Sequence, residues 1–337
     1  MIKCAFFSRL VEFHENKIQR CLKIAEGIKK HNDWVDFYKT NIYEKNDCTF
    51  WSGIVPEFNV DYELLSANHS RQVVMGEQIK NNRTWFTTEI QLLGNITDIK
   101  RNYLRAGFWY SHNDLGKFYK DYDDTRFKKM QKSTSFPLFH DYKNGDDILI
   151  LLNSPYSGSL KGSNHLNWLD STISEIRNFS DRHIKIRPLK FSRYPGKEEE
   201  LDNIIKKYSN ISITIGPLIE SLTNIKAAVS ATTTASVDVV AFGIPHFTKF
   251  RSNFAYDVSF HDLSKIENPP FFDRTRWINK ISYSQWSLEE FENGDFWNYW
   301  RPYVLDVMAE KEKSPINLDN ILPTLQKHKK FFMSGSV

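Results

Sequence analysis

The sequence predicts an α/β protein in two halves, each a mainly parallel sheet covered by helices. Three observations predict it. Short apolar, β-type runs alternate with amphipathic helical stretches along most of the 337 residues. A polar, turn-rich segment, Asp141 to Asp147, interrupts that alternation. Directly after it, Ile148-Leu149-Ile150-Leu151-Leu152 is an unbroken aliphatic run, the mark of a strand buried on both faces. The length suits two domains of roughly 150 residues each. We expect an amino-terminal unit over 1–142, a second over 143–294, and a closing helix with a basic tail over 295–337, packing back on the first unit.

In the first half, Ile2 to Phe7 reads as a strand. His14 to His31 reads as a helix with Ile18, Cys21, Leu22, Ala25 and Ile28 on one face. Trp34 to Tyr38, Cys48 to Trp51 and Thr84 to Thr88 read as further strands, and Ser66 to Asn81 as a helix. From Leu92 to Ser135 the pattern loosens into a polar, aromatic stretch. The second half alternates more regularly. Helices are expected over His165 to Phe179 and Gly196 to Tyr208, and strands over His183 to Arg187 and Ile211 to Ile215. Ala227-Ala228-Val229 then runs as a strand into Ser230-Ala231-Thr232-Thr233-Thr234, a helix follows from Ala235 to Phe242, and Gly243-Ile244-Pro245 stops it before a strand at His246 to Thr248. Asp273 to Ser284, Ser287 to Asn293 and Asp295 to Lys311 read as helices, the last with Pro302 near its start.

Composition narrows the class. Cys4, Cys21 and Cys48 are an odd set without metal-type spacing, which points to free thiols in a reducing compartment. No stretch approaches 18 apolar residues and the first residues carry no signal-type run, so we expect a cytoplasmic chain without a membrane partner. Net charge is +4, which tolerates an anionic partner. Basic residues cluster at Arg182, Lys185, Arg187, Lys190, Arg193 and Lys197, with no acid between them. Such a run is by default a solvated face, but this one ends a strand and enters a loop.

Ligands of doubly wound sheets sit beyond the carboxyl ends of the strands. Four second-half loops lie there. The first runs from Asn153 to Gly162 and carries Ser157 and Lys161. The second is Arg187-Pro188-Leu189-Lys190. The third is the turn of Thr232, Thr233 and Thr234, and the fourth runs from Lys249 to Asn253. All carry hydroxyls or cations, and a hydroxyl-rich turn opening a helix suits a phosphate. The plainer reading of the threonines is an N-cap. The first loop lacks Walker spacing, and no GxSxG, HExxH, paired CxxC or GxGxxG motif is present. Asp121-Tyr122-Asp123 resembles a metal-binding DxD but follows Lys117-Phe118-Tyr119-Lys120 rather than an apolar strand, so it reads as a loop. For proton transfer the first half offers Glu89, at the end of its strand, and Asp114 in His112-Asn113-Asp114, with Arg105 nearby.

Two segments resemble a known family. One is Lys161-Gly162 with Trp168 to Arg177 and Asp181 to Pro188. The other runs from Ala255-Tyr256-Asp257-Val258 through His261 to Pro269, Asp273-Arg274 and Trp277 to Tyr283-Ser284-Gln285-Trp286-Ser287. They resemble glycosyltransferases of tailed bacteriophages, distantly similar to capsule-type Kdo transferases, over about Asp146 to Trp297. The resemblance implies the GT-B architecture, two Rossmann-like domains facing across a cleft with the nucleotide-sugar in the second. The family's Arg-x-His-Pro stands here as Arg187-Pro188-Leu189-Lys190, without the imidazole. Glu89 matches a family glutamate, with Ile90-Gln91 in place of an aromatic-glycine context.

The implied reaction moves arabinose or a similar sugar from a nucleotide donor, such as a UDP-sugar, to a hydroxymethylated cytosine in phage DNA inside the infected host. Ser157, Lys161, Arg187, Lys190, Thr232, Thr233, Thr234, Asn253, Tyr256 and Asp257 would hold the donor, and Glu89 or Asp114 would act on the acceptor hydroxyl. Cationic and hydroxyl groups neutralising the leaving nucleotide would make a divalent metal dispensable. Lys117, Lys120, Arg126, Lys128, Lys129 and Lys132 would offer a basic face to DNA. The alternatives are a transferase acting on a surface polysaccharide and a non-catalytic DNA-binding protein of the same fold.

Overall fold

The computed structural model describes residues 1–7, 15–38, 48–52, 78, 81–94, 103–108, 123–134, 137–153, 164–188 and 197–311. Its first sheet contains β1 (Lys3–Phe7), β2 (Trp34–Tyr38), β3 (Cys48–Ser52), β4 (Thr84–Ile90), β5 (Tyr103–Phe108) and β11 (Gln285–Ser287), in the spatial order β11-β5-β4-β3-β1-β2. β1 to β4 pair in parallel, whereas β5 runs antiparallel to both β4 and β11. Phe6, Phe50 and Phe86 stack across three parallel strands, with centroids 4.7 and 5.1 Å apart. Phe296, Trp297 and Trp300 of α9 (Asp295–Met308) cover the stack, so much of the aromatic content is core. α1 (Glu15–Lys29) buries Ile24, Ala25 and Ile28 on the same cluster. A Cβ on Gly27 would lie 1.9 Å from the Phe291 carbonyl, so α1 meets α8 (Leu288–Asn293) backbone against backbone.

A polar knot ties this half together. Asp33, 4% exposed, accepts from Ile2 N (2.8 Å), Trp297 Nε1 (2.8 Å) and Arg301 Nε (2.7 Å). Burial alone would raise its pKa, but the bonds from Arg301, Ile2 and Trp297 outweigh burial and hold it below the usual carboxylate value.

The second sheet contains β6 (Asp147–Leu151), β7 (Ile184–Arg187), β8 (Ile211–Ile213), β9 (Ile225–Ser230) and β10 (His246–Phe247), in the order β10-β9-β6-β7-β8. Every pairing is parallel, so all five carboxyl ends lie on one edge. Ile148, Ile150 and Leu152 face α3 (His165–Arg177) and α4 (Glu198–Lys206), and Leu149 and Leu151 face α5 (Leu218–Ser221) and α6 (Ala235–Ala241). That two-sided burial explains the aliphatic run. The chain winds outward from β6 through β7 to β8, then returns to β9 beside β6 and continues to β10. Winding direction therefore reverses between β6 and β9, the Rossmann-type switch point.

A third core joins the halves. Leu92, Leu93 and Tyr103 of the first meet Val237, Val240 and Ala241 of α6 and Trp277, Ile278 and Ile281 of α7 (Thr275–Tyr283). The connecting segment is pinned by Arg274, which donates to the carbonyls of His140 and Val240. Gly243, at φ +90°, lets it pass: a Cβ there would lie 1.9 Å from the Asp141 carbonyl.

Several elements were not anticipated, among them the short helix α5. β5 and α2 (Thr125–Lys132) lie in the stretch read as loose. In β5 the buried Arg105 breaks the alternation of apolar residues, and in α2 only Arg126 and Met130 are buried among lysines. β11 has three residues and pairs with a strand in the other half, which leaves no local signal. The segment expected as one unit over 143–294 therefore gives its last residues to the first sheet, where Trp286 and Phe291 join the aromatic core.

Candidate functional site

The switch point brings the end of β6 beside the end of β9, and the residues there form a bonded scaffold. Asn153 donates through Nδ2 to the Thr232 hydroxyl (3.1 Å), and its backbone N–H donates to Nε2 of His165 (2.9 Å). Burial pushes His165 down to about 4, so the ring is neutral and carries its proton on Nδ1. Asn253 is fully buried. It donates to the Ser230 hydroxyl (3.1 Å) and the Ala231 carbonyl (2.7 Å), and accepts from the Ser236 hydroxyl (2.7 Å) and Ala255 N (2.9 Å).

Behind this lies His246, fully buried. The Ser259 hydroxyl donates to the Ala255 carbonyl, so it accepts from His246 Nδ1 (2.6 Å), and Ser230 donates to His246 Nε2 (2.8 Å). Burial, with His261 nearby, pushes His246 down to about 3. Its imidazole is a fixed neutral relay.

The scaffold holds the threonine turn open in one respect. Thr232 and Thr233 are buried, Thr234 is half-buried, and Thr233 Oγ1 accepts from Ala235 N (3.3 Å). Thr234 occupies the N-cap position without a side-chain bond. Among the described residues nothing accepts from the backbone N–H of Thr233 or Thr234. Two donors, at the carboxyl edge and beside the switch point, are thus available to an anion.

The other expected residues are placed as follows. The Arg187 guanidinium donates to the Gly216 carbonyl (2.9 Å) and the Ser221 hydroxyl (3.2 Å), and burial lowers its pKa. It braces the β8–α5 connection, so meeting a phosphate would require it to leave those partners. Asn253 likewise braces the turn, and a ligand contact by its amide would compete with these bonds. Tyr256 stacks on the His261 ring at 4.0 Å, and Asp257 is paired with Lys280 at 2.9 Å on the surface. Ser157, Lys161, Lys190 and Asp114 lie outside the described residues. Glu89 stands opposite Arg105 in the β4–β5 register, and its side chain lies outside the described residues. Sequence reading passed over Arg251 as an individual candidate. It is exposed beside Asn253 and makes no ion pair among the described residues. Its place after β10 was the available signal.

The basic face read from the sequence is partly ion-paired, and Lys132 is exposed without an ion pair among the described residues. Arg126 pairs with buried Glu290 at 2.5 Å and lies 3.8 Å over the Trp286 ring, Lys129 reaches the same carboxylate at 2.6 Å, and Lys128 pairs with Asp124 at 2.7 Å. Lys117 and Lys120 lie outside the described residues. In the second run, Arg182 pairs with Glu267 (2.9 Å), Lys185 with Asp147 (2.8 Å) and Lys197 with Glu200 (2.7 Å). Asp123 accepts from Thr125 N (2.9 Å) and Tyr283 OH (2.6 Å), a structural role at the start of α2. Among the described residues no acidic, histidine or cysteine cluster has the makings of a metal site, and no helix is long and apolar enough to cross a membrane.

No protein-family model matches the chain, and no curated protein sequence matches it. Among solved structures, a β-Kdo 2,7 transferase, KpsC of Thermosulfurimonas dismutans, aligns at 9% identity and a TM-score of 0.44, covering 88% of this chain and 99% of that one. A UDP-GlcNAc 2-epimerase of Methanocaldococcus jannaschii, solved with UDP-GlcNAc and UDP, aligns at 11% and 0.36, covering 84% and 97%. A TarM variant of S. aureus, solved with UDP, aligns at 9% and 0.33, covering 92% and 58%. At these identities and scores the likenesses carry nothing about this chain's reaction.

Proposed function

We propose that this chain is a glycosyltransferase of GT-B type that holds a nucleotide-sugar by its phosphates at the switch point of the second sheet. The observation that carries the reading is the threonine turn at the β6–β9 junction, with two unbonded N–H groups at the carboxyl edge of a parallel sheet. Thr234 adds a half-buried hydroxyl and Arg251 an exposed cation from the neighbouring loop. Such groups stabilise the charge that builds on a departing nucleoside diphosphate, and they do so without a divalent metal. Lys161, Ser157 and Lys190, on the loops after β6 and β7, would complete the cradle.

On the acceptor side the reading assigns proton removal to Glu89, at the end of β4, or to Asp114. The acceptor we infer is a hydroxymethylated cytosine in phage DNA, which receives arabinose or a similar sugar. That inference rests on the resemblance over residues 146–297. Of the described cations of α2, Arg126, Lys128 and Lys129 are ion-paired, and Lys132 is exposed without an ion pair among the described residues.

The test incubates the purified chain with hydroxymethylcytosine-containing duplex DNA and a panel of UDP-sugars, followed by digestion and mass measurement of the nucleosides. A pentose or hexose increment on the modified base is the expected result. Donor hydrolysis without an increment would move the acceptor to a polysaccharide. Absence of both hydrolysis and donor binding would leave the non-catalytic DNA-binding reading.

A further inference from the structure

The two edges of the second sheet end differently. At one edge Phe260 covers β10: its N–H donates to the His246 carbonyl (2.8 Å) and its carbonyl accepts from Thr248 N (2.8 Å). At the other edge β8 is the last strand and pairs only with β7. Ile184 N donates to the Asn210 carbonyl (3.0 Å), and Thr214 N donates to the Ile186 carbonyl (2.9 Å). Asn210, Ser212 and Thr214 therefore turn their backbone groups to β7. The alternation of a strand turns those of Ile211, Ile213 and Ile215 outward, where nothing among the described residues pairs with them.

Proteins ordinarily blunt such an edge with a charge, a proline or a bulge. From Ser209 to Gly216 this chain carries neither charge nor proline. Ile213 is 41% exposed and Ile215 70%. By the period of two they share a face with Ile211, which packs on the cluster containing Leu201 and Ile204 of α4.

The edge is also complementary to itself. In an antiparallel pairing of two copies about a two-fold axis at Ile213, Ile213 meets its own image, Ile211 meets Ile215, and Ser212 meets Thr214. Aliphatic falls on aliphatic and hydroxyl on hydroxyl. The outward backbone groups fall opposite one another, as an antiparallel ladder requires, and no charge on the strand meets its own image.

The covering helices agree. α4 joins β7 to β8 and lies over the gap between them, so the two copies of α4 would run antiparallel about two strand spacings, or roughly 10 Å, apart. That is the distance at which helices pack. α4 begins Glu198-Glu199-Glu200, and Lys206-Lys207 lie at its end. Lys197 and Glu200 pair with each other, and Lys207 pairs with Asp170 of α3. Glu199 and Lys206, seven residues apart on one side of the helix, are exposed and make no ion pair among the described residues. Antiparallel packing would set each Glu199 against the Lys206 of the second copy.

We propose that β8 is the interface of a homodimer in which the second sheets of two copies join edge to edge. β7 and β6 separate β8 from β9 and its threonine turn, so the inference does not depend on the transfer reading.

The test is the mass of the full chain in solution, by light scattering over a concentration series. Twice 39.7 kDa is expected at high concentration, falling on dilution. Ile213→Lys sets a charge against its own image at the axis and should leave a monomer. The Ile213 side chain is exposed, so the melting temperature of the dilute variant should match that of the dilute wild type. Lys206→Glu should weaken the dimer about tenfold, and adding Glu199→Lys should restore it. That exchange decides the matter even where Ile213→Lys fails to fold. Ile213→Cys should join two copies through a short bis-maleimide, whereas Trp34→Cys, exposed on the first sheet, should not. A monomer at every concentration leaves the edge to a foreign strand and overturns the proposal. A dimer that both Ile213→Lys and Lys206→Glu leave intact overturns it as well, because the contact then lies elsewhere.

Discussion

The backbone N–H of Gly94, just past β4, donates to the Asp238 carboxylate of α6 at 2.7 Å, across 144 residues of sequence. β4 carries Glu89, and α6 follows directly from the threonine turn, so one buried bond ties the proposed acceptor strand to the proposed donor turn. Asp238→Ala should cost about 2 kcal/mol, the penalty for stranding a buried donor. Urea unfolding reads that loss. Amide exchange at Gly94 should accelerate well beyond the global change, and equal acceleration everywhere would show that the bond has no local role.

Asp33 makes acid sensitivity testable. Its folded pKa is held low by Arg301, Ile2 and Trp297 against the opposing effect of burial, so its contribution is complete above the unfolded value of about 4 and is lost as pH falls through the folded value. Asp33→Asn should lower the urea midpoint at pH 7, and the wild-type advantage should shrink towards pH 3. An advantage constant over that range would refute the assignment.

The buried histidines act in a different window. His165 and His246 have folded values of about 4 and about 3, below the unfolded value of about 6.5. As pH falls below about 6.5 the unfolded chain takes up protons that the folded chain refuses, so stability declines with falling pH. His165→Gln, which keeps an acceptor for Asn153 N, should flatten the dependence between pH 6.5 and 4.5 while retaining most of the pH 7 stability. An unaltered slope would show that His165 takes up its proton in the fold as readily as in the unfolded chain.

Arg126 neutralises Glu290, which is 2% exposed. Arg126→Ala leaves that carboxylate buried with only the exposed Lys129 as a charge partner and should cost about 3 kcal/mol. Lys128→Ala, on the surface, should cost less than about 0.5 kcal/mol. Chemical denaturation of the two variants separates a structural helix from a nucleic-acid face. A large loss of DNA affinity in Lys128→Ala with unchanged stability would restore the latter.

Gly27 sets how closely α1 approaches α8. Gly27→Ala would place a methyl 1.9 Å from the Phe291 carbonyl, a clash of backbone with backbone that side-chain motion cannot relieve. We expect a loss of about 3 kcal/mol, despite alanine's better helix propensity, and a stabilised variant would disprove the contact.

The sequence made the second half legible because each of its strands is followed by a helix or turn with its own period, and β6 is buried on both faces. The first half was readable where Phe6, Phe50 and Phe86 lie on apolar runs, and at α1 and β2. β5 was hidden by Arg105, whose guanidinium sits 4.9 Å from the Phe254 ring in the other half, a contact no local pattern announces. The threonine turn was visible as residue types. That Thr233 and Thr234 keep unbonded N–H groups, while Asn253 and Arg187 are bonded into the scaffold, depends on partners distant in sequence, such as Asn153 on Thr232. Part of each charge run is likewise neutralised from afar: Glu290 and Glu267, which pair with Arg126 and Arg182, lie 164 and 85 residues away.

The late return of the chain to the first sheet has a consequence for synthesis and for cleavage. A backbone break between Asp141 and Gly145 yields two pieces, neither of which owns a whole aromatic core. The first keeps the Phe6–Phe50–Phe86 stack bare, and the second carries Trp286, Phe296, Trp297 and Trp300 without the stack they cover. Such pieces are complementary fragments that fold together rather than apart. On the ribosome the same geometry makes the amino-terminal half wait. Although made first, it gains its covering helix only when α9 emerges, so the chain's beginning is among the last of its parts to mature.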